Sequence, residues 1–418
     1  MTENFLKYFP SPSELAESQS SDGKLQFIAN NHIHSPYSFS SFDDIGSIFL
    51  KATEESVNVL GINDFFVTDG YDSFCRGCLG NNVFPLFNIE FIGLMKKEQE
   101  TGIRINDPNN PGRIYFCGKG LDYPFHVSGV NLRKLEEVIN ESQAQIRAMI
   151  AKLNAILSEG GYGLRLDYDP VRKRYARNLV RERHIARALR VMAEENFTSE
   201  NERIRFFETI FKGKKLVSAL DNAAAIENEI RANVLKSGGS AFVEEDERSF
   251  LPVREIIGII NDCGGIPCYP VLLDDNSGRY TEFESDPAKL FDSLTSMGVG
   301  CIELIPGRNA LKNLVEFTEF FDSRDFVITF GTEHNSPGIS PLTISARGSA
   351  PLGEKLEQIQ RKGVSLIAAH QYLRAKNETG YTGHDGRPLT RRKKELESLG
   401  ESVIEYFLRG KYHENRNS

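Results

Sequence analysis

The hydrophobic positions along the chain fall into two alternating patterns. Short apolar runs, each closing on polar side chains, occur at residues 25–30, 59–66, 84–91 and 113–119, and again at 265–271, 299–305 and 326–332. Runs of that length bounded by turn-forming residues read as strands. Between them lie stretches whose apolar residues share one helical face. One begins at Asp43 or Asp44, either of which can cap it, and others cover 253–262, 289–297 and 311–321. Strands alternating with helices predict a parallel α/β layout, and a barrel of that kind gathers the C-terminal ends of its strands on one rim.

The rhythm is interrupted once. Residues 132–156 are strongly helical with few Gly or Pro, Gly160-Gly161-Tyr162-Gly163 punctuates the pattern, and further helices run from 170 to about 234, closing at Ser237-Gly238-Gly239. The chain therefore divides into an N-terminal polar extension (1–24), a first α/β half (25–128), a helical insertion (129–245), a second α/β half (246–345) and a C-terminal helical extension (346–418). The last carries a helix over 355–376, a glycine-rich loop around 380–386 and a basic helix over 389–408. The loop has two readings, a lid over the site or a surface for self-association.

Composition narrows the function classes. A chain of 418 residues can bury a large core, and 50 Lys+Arg against 58 Asp+Glu argues against a nucleic-acid partner. No apolar run has the length of a bilayer span, and the N-terminus lacks a basic segment followed by an apolar one. Six cysteines, most inside apolar stretches, fit reduced thiols and a cytoplasmic protein. Cys75 and Cys78 form a C-x-x-C without a second pair, which reads as chance spacing. Oligomeric state stays open.

The candidate chemistry sits where the strands end. His32 and His34 close the first apolar run with one residue between them, so the two-residue period of a strand projects both imidazoles to the same side. Asp64, Glu90, Glu333 and His334 end later runs. Six nitrogen and oxygen donors at strand ends suit a divalent cation such as Zn, Mn or Fe. Lys119 closes the fourth run and has two readings, a phosphate contact at a rim or a solvated lysine. Arg177, Arg181 and His184 are spaced to share one helix face, which reads either as a phosphate contact, since Arg suits bidentate binding, or as a solvated surface balanced by the acidic residues that follow. Arg308 and Asn309 are weaker candidates for the same task. His370, in an apolar helical stretch, reads as a satisfied core residue, and His126 as a surface one.

These stretches, in this order, resemble the polymerase and histidinol phosphatase (PHP) family. Asn31-His32-Ile33-His34-Ser35-Pro36-Tyr37-Ser38 is similar to its opening H-x-H and T-x-Y-S motif. Gly61-Ile62-Asn63-Asp64 resembles the G-I-x-x-T-D-H segment, Asn88-Ile89-Glu90-Phe91 the G-I-E segment, and Gly331-Thr332-Glu333-His334 the closing G-S-D-x-H. Arg181 to Ala186 is similar to an R-P-H-I-A element in the insertion of the branch that hydrolyses small phosphoesters. The resemblance implies a distorted seven-stranded β/α barrel and one to three divalent cations held by His32, His34, Asp64, Glu90 and Glu333, with His334 beside the family position. It also implies phosphoester hydrolysis by cation-activated water, with Arg181 and His184 clamping a small phosphorylated substrate. Phe39, Phe65 and Asn335 stand where the family has Asp, His and His, and Tyr115 or Phe116 and Tyr269 where it has further histidines. Those replacements support one alternative, a catalytically impaired binding or regulatory module. A second is a metal-dependent lyase, isomerase or amidohydrolase on a similar barrel, which would share the ligands without needing the arginines.

Overall fold

The computed structural model describes residues 3–17, 25–275, 277–336 and 338–410. Its strands are β1 (Ile28–Ile33), β2 (Val57–Phe65), β3 (Phe84–Leu94), β4 (Arg113–Lys119), β5 (Leu251–Pro252), β6 (Ile266–Val271), β7 (Cys301–Leu304) and β8 (Val327–Phe330). The helices are α1 (Pro12–Glu17), α2 (Ile45–Glu54), α3 (Tyr71–Gly80), α4 (Lys96–Glu100), α5 (Gly129–Glu159), α6 (Tyr168–Tyr175), α7 (Glu182–Asn196), α8 (Glu200–Ile210), α9 (Ala223–Ile230), α10 (Val253–Asp262), α11 (Pro287–Ser296), α12 (Leu311–Asp322), α13 (Glu354–Ala375) and α14 (Lys393–Leu408). Seven strands run in the order β1-β2-β3-β4-β6-β7-β8, with the short β5 on β3 alone. β8 returns to β1 through a parallel bridge between Ile33 and Glu333. The result is a nearly closed α/β barrel.

One strand departs from the parallel expectation. β4 runs antiparallel to both β3 and β6. A parallel return needs a long crossover, usually a helix. The link from β3 to β4 holds only the five-residue α4, so the chain folds back beside β3. The reversal sends Lys119 to the level of Ile266, where β6 begins, rather than to the rim.

Local signals explain the helices around the barrel. Asp44 accepts a hydrogen bond from the Ser47 backbone and caps α2, and Ile256, Ile257, Ile259 and Ile260 turn the inner face of α10 to the sheet. Helices α5 to α9 enclose a separate apolar core that includes Leu153, Leu189, Phe206, Phe207 and Ile230. Among the described residues no helix is long and apolar enough to cross a membrane.

The described residues of both the N-terminal and the C-terminal extension belong to the core more than their sequences indicated. Phe5 packs edge-on against Phe84 and Phe407, and Phe9 lies against Tyr406. Residues 18–24 of that N-terminal stretch lie outside the described part. Helix α13 is buried along most of its length and crosses the seam between β1 and β8. There the Gln360 amide donates to the Ala29 and Phe330 carbonyls at 3.3 and 3.0 Å and accepts from the Phe330 N–H at 2.5 Å. Gly363 makes this approach feasible, because a Cβ on it would stand 1.8 Å from the Ile328 carbonyl oxygen. The glycine-rich loop is not a lid. Its Tyr381 and Thr382 reach the Gly300 and Gly265 carbonyls, just before β7 and β6 begin, at the end of the barrel opposite the histidines. His370 is satisfied there, facing the Gly264 carbonyl at 2.6 Å and the Tyr381 N–H at 2.9 Å.

Candidate metal centre

β1 delivers His32 from within the strand and His34 from the residue after it, with both rings buried. The sheet lets them in because Gly331, leaving β8, has no side chain: a Cβ there would lie 2.2 Å from that of His32. The Nε2 atoms of the two rings are 3.3 Å apart. β3 brings Glu90 to the same point, its Oε2 at 3.2 Å from His34 Nε2 and 3.6 Å from His32 Nε2. That carboxylate oxygen is buried and makes no hydrogen bond. An orphaned buried oxygen is costly. Three donor atoms thus outline a triangle of edges 3.2, 3.3 and 3.6 Å. Ligands in a tetrahedral site at about 2.1 Å from a cation stand roughly 3.4 Å apart, so these residues fit a divalent ion without rearrangement.

The charge balance points the same way. His32 Nδ1 lies 2.6 Å from Glu303 Oε2, a β7 residue that the strand-end pattern did not single out. Burial alone would lower the imidazole pKa, but the Glu303 and Glu90 carboxylates outweigh it and raise it to about 9. The cup therefore demands positive charge near His32, which a proton or a cation can meet. Beneath it Lys119 is fully buried, with its ammonium 2.6 Å from Glu303 Oε1, 3.1 Å from Asn63 Oδ1 and 3.4 Å from the Asn31 carbonyl. This is the floor of the barrel and not a phosphate contact, a consequence of the reversed β4. Glu303 could have been found in sequence as an acidic residue in an otherwise apolar run, Cys301-Ile302-Glu303-Leu304.

The other expected ligands lie around the triangle. Asp64 is buried behind it, accepting from the Ser35 N–H at 2.7 Å, from the Ser35 hydroxyl and from the Ser38 hydroxyl at 2.7 Å. Ser38 in turn sits 3.2 Å from His34 Nδ1, so Asp64 steadies the loop that carries His34. Glu333, with a left-handed backbone (φ 64°), pairs with Arg308 and accepts from the Asn335 amide at 2.7 Å. His334 faces away: its ring is 2.7 Å from the Thr332 hydroxyl and 2.9 Å from the Ser340 carbonyl, and it stacks on Phe42. Cys75 and Cys78 are both buried in the core.

The helical insertion reaches this rim through the start of α7. Arg181 lies 4.7 Å above the Phe65 ring, and Phe65 stacks on His34 with 4.8 Å between centroids. Arg183 and Arg187 lie over Phe39, which meets His184 edge-on. The two phenylalanines that replace ligands of the PHP pattern are thus platforms for arginines. Arg177 does not share the helix: α6 ends at Tyr175, and Arg177 is exposed in the link to α7. His184 is buried, and its Nδ1 accepts from the Arg181 N–H at 2.9 Å, closing the first turn of α7. Burial and the flanking arginines lower its pKa to about 3, so it offers an anion no charge. Arg183 has an unpartnered buried Nη1, and burial together with nearby Arg231 lowers its pKa to about 10. A guanidinium in that state is relieved by an anion.

No family model matches the chain, and no curated protein does. Among solved structures it is similar to an inferred metal-dependent phosphoesterase from Bifidobacterium adolescentis, with a TM-score of 0.53 and 13% identity over 81% of this chain and 96% of that one. It is also similar to an amidohydrolase from Chromobacterium violaceum with bound sulfate and no metal, with a TM-score of 0.48 and 15% identity over 79% of this chain and 96% of that one. At this identity the first likeness speaks for the barrel fold, and the second carries no argument.

Proposed function

We propose that the protein is a metal-dependent phosphoesterase acting on a small phosphorylated compound, with His32, His34 and Glu90 holding the divalent ion. The observation that carries this reading is the convergence of two imidazole nitrogens and an orphaned carboxylate oxygen, with Arg181 lying over the Phe65 ring that stacks on His34. When bound, a divalent cation would supply an activated water and charge stabilisation for phosphoryl oxygens. The chain's own residues do the rest. Asp64, through Ser38, keeps His34 oriented. Arg181 and Arg183 attract and orient the phosphate, with Phe65 and Phe39 holding their guanidinium planes. Arg308, tethered by Glu333 and half exposed, stands at the same mouth.

Hydrolysis of a model phosphoester by protein loaded with Mn or Zn tests this reading. The His32→Ala/His34→Ala variant should lose the activity, and equal rates in the two proteins would refute it. A screen of phosphorylated against unphosphorylated compounds separates a phosphoesterase from a lyase, isomerase or amidohydrolase on the same barrel.

A further inference from the structure

Glu303 fixes which nitrogen of His32 keeps its hydrogen when the ring ligates a cation, and Asn63 and Lys119 hold the surroundings. Glu303 Oε2, 2.6 Å from Nδ1, can only accept, so Nδ1 carries the hydrogen. Asn63 Nδ2 stands 3.0 Å from Nε2 and 3.3 Å from Nδ1, against the face of the ring. Its orientation is set by Lys119, whose ammonium takes Asn63 Oδ1 at 3.1 Å and leaves the amide N–H groups facing the ring. When the ring ligates a cation, the Nδ1 hydrogen stays directed at Glu303 and the Nε2 lone pair is left for the space it shares with His34 Nε2 and Glu90 Oε2. A carboxylate holding the far nitrogen of a ligating histidine is the usual way that ring is oriented and made more basic.

A second group of donors, His32, Cys117 and Glu303, lies directly below. It is already served. Lys119 Nζ has three acceptors in reach, Glu303, Asn63 and the Asn31 carbonyl, one for each of its N–H groups. Cys117 Sγ is 3.7 Å from Glu303 Oε2, and burial keeps it a neutral thiol, a poor ligand. Any cation entering here would have to displace a buried ammonium that neutralises Glu303.

We infer that Lys119 and Glu303 are a positioning pair for a single divalent cation at His32, His34 and Glu90. Glu303 fixes the His32 tautomer, and the Lys119 ammonium fills the place of a second ion. The inference rests on the reading of the upper triangle as a cation site. The reversed β4 makes it consistent: a parallel strand would have carried Lys119 to the rim, away from Glu303.

Calorimetric titration of the full chain with Mn2+ and Zn2+ tests it. The wild type should take up one ion per chain. Removing the pair together, as Lys119→Met/Glu303→Leu, strands no charge and should leave a folded protein whose ion-free melting temperature is at or above the wild type's. Its cation affinity should fall roughly 10–100-fold. Lys119→Met/Glu303→Gln keeps an acceptor for the Nδ1–H and should recover most of that loss. In the Zn-loaded wild type, nitrogen-resolved NMR should show His32 protonated at Nδ1. Two ions per wild-type chain, or equal affinity in the Leu and Gln double variants, would overturn the inference while leaving the cation site intact. No ion bound by the wild type would overturn both.

Discussion

Gly363→Ala tests the physical link between the barrel seam and the site. A Cβ at this position would stand 1.8 Å from the Ile328 carbonyl oxygen and 2.9 Å from its carbon, whereas ordinary contact begins near 3.4 Å. Helix α13 and β8 must therefore part by about 1.6 Å, and because the obstacle is backbone no rotamer change relieves it. Overpacking of this kind costs about 1–3 kcal/mol. Separation also strains the three hydrogen bonds of Gln360 across the seam, each worth about 1 kcal/mol net. The expected destabilisation is about 3–5 kcal/mol, a large share of the roughly 5–15 kcal/mol that holds a native domain together. Gly258 is the control: it is exposed within α10, and a Cβ there meets nothing within 4 Å. Gly258→Ala should stabilise by about 0.5–1 kcal/mol through helix propensity. Urea unfolding midpoints measure both. Because the seam runs beside His32, Gly363→Ala should also weaken cation binding in native buffer. A Gly363→Ala midpoint equal to that of the wild type would refute the claim that α13 clamps the barrel shut.

Glu90→Gln should weaken cation affinity at least tenfold more than Asp64→Asn, measured by calorimetry, since Glu90 Oε2 faces the triangle whereas Asp64 is engaged by Ser35 and Ser38. Arg181→Met should raise the KM for a phosphoester roughly tenfold while leaving cation affinity unchanged, because on the proposed reading the guanidinium, lying over Phe65, would meet the substrate and not the ion. Glu284 is fully buried, and burial raises its carboxyl to about 7 despite hydrogen bonds from the Tyr269 hydroxyl and the Leu272 and Leu273 N–H groups. A folded pKa above the unfolded one means that its contribution is complete below about pH 4.5 and is lost as pH rises through 7. Glu284→Gln should remove that decline, worth at most about 3 kcal/mol, in unfolding curves taken from pH 4.5 to 8.

Much of the barrel was legible because its strands are short apolar runs and its helices show one-sided apolar patterns. The bounds of α10 follow directly from Val253 to Asp262, and those of α12 nearly so. Strand direction was not legible, since Arg113 to Lys119 carries the same pattern whichever way it runs. The burial of α13 was hidden for a related reason. A helix covered on all sides loses its one-sided pattern, and small residues such as Gly363, Ala368 and Ala369 replaced it. In the site, the period of a strand placed His32 and His34 together, and Glu90 joined them. Asp64, Glu333 and His334 share the strand-end position but not the direction of the side chain, which is set by the Ser35–Ser38 loop and by the left-handed residues Glu333 and His334. Glu303 escaped notice because it lies inside its strand rather than at the end.

His32 Nε2, His34 Nε2 and Glu90 Oε2 are proposed to grip one cation. A crystal soaked in Mn2+ or Zn2+, with data collected at that metal's absorption edge, tests it most directly. One anomalous peak is expected in the barrel, about 2.0–2.2 Å from His32 Nε2, His34 Nε2 and Glu90 Oε2. Strong anomalous density elsewhere in the barrel with none at that point, or none in the barrel at all, would contradict it.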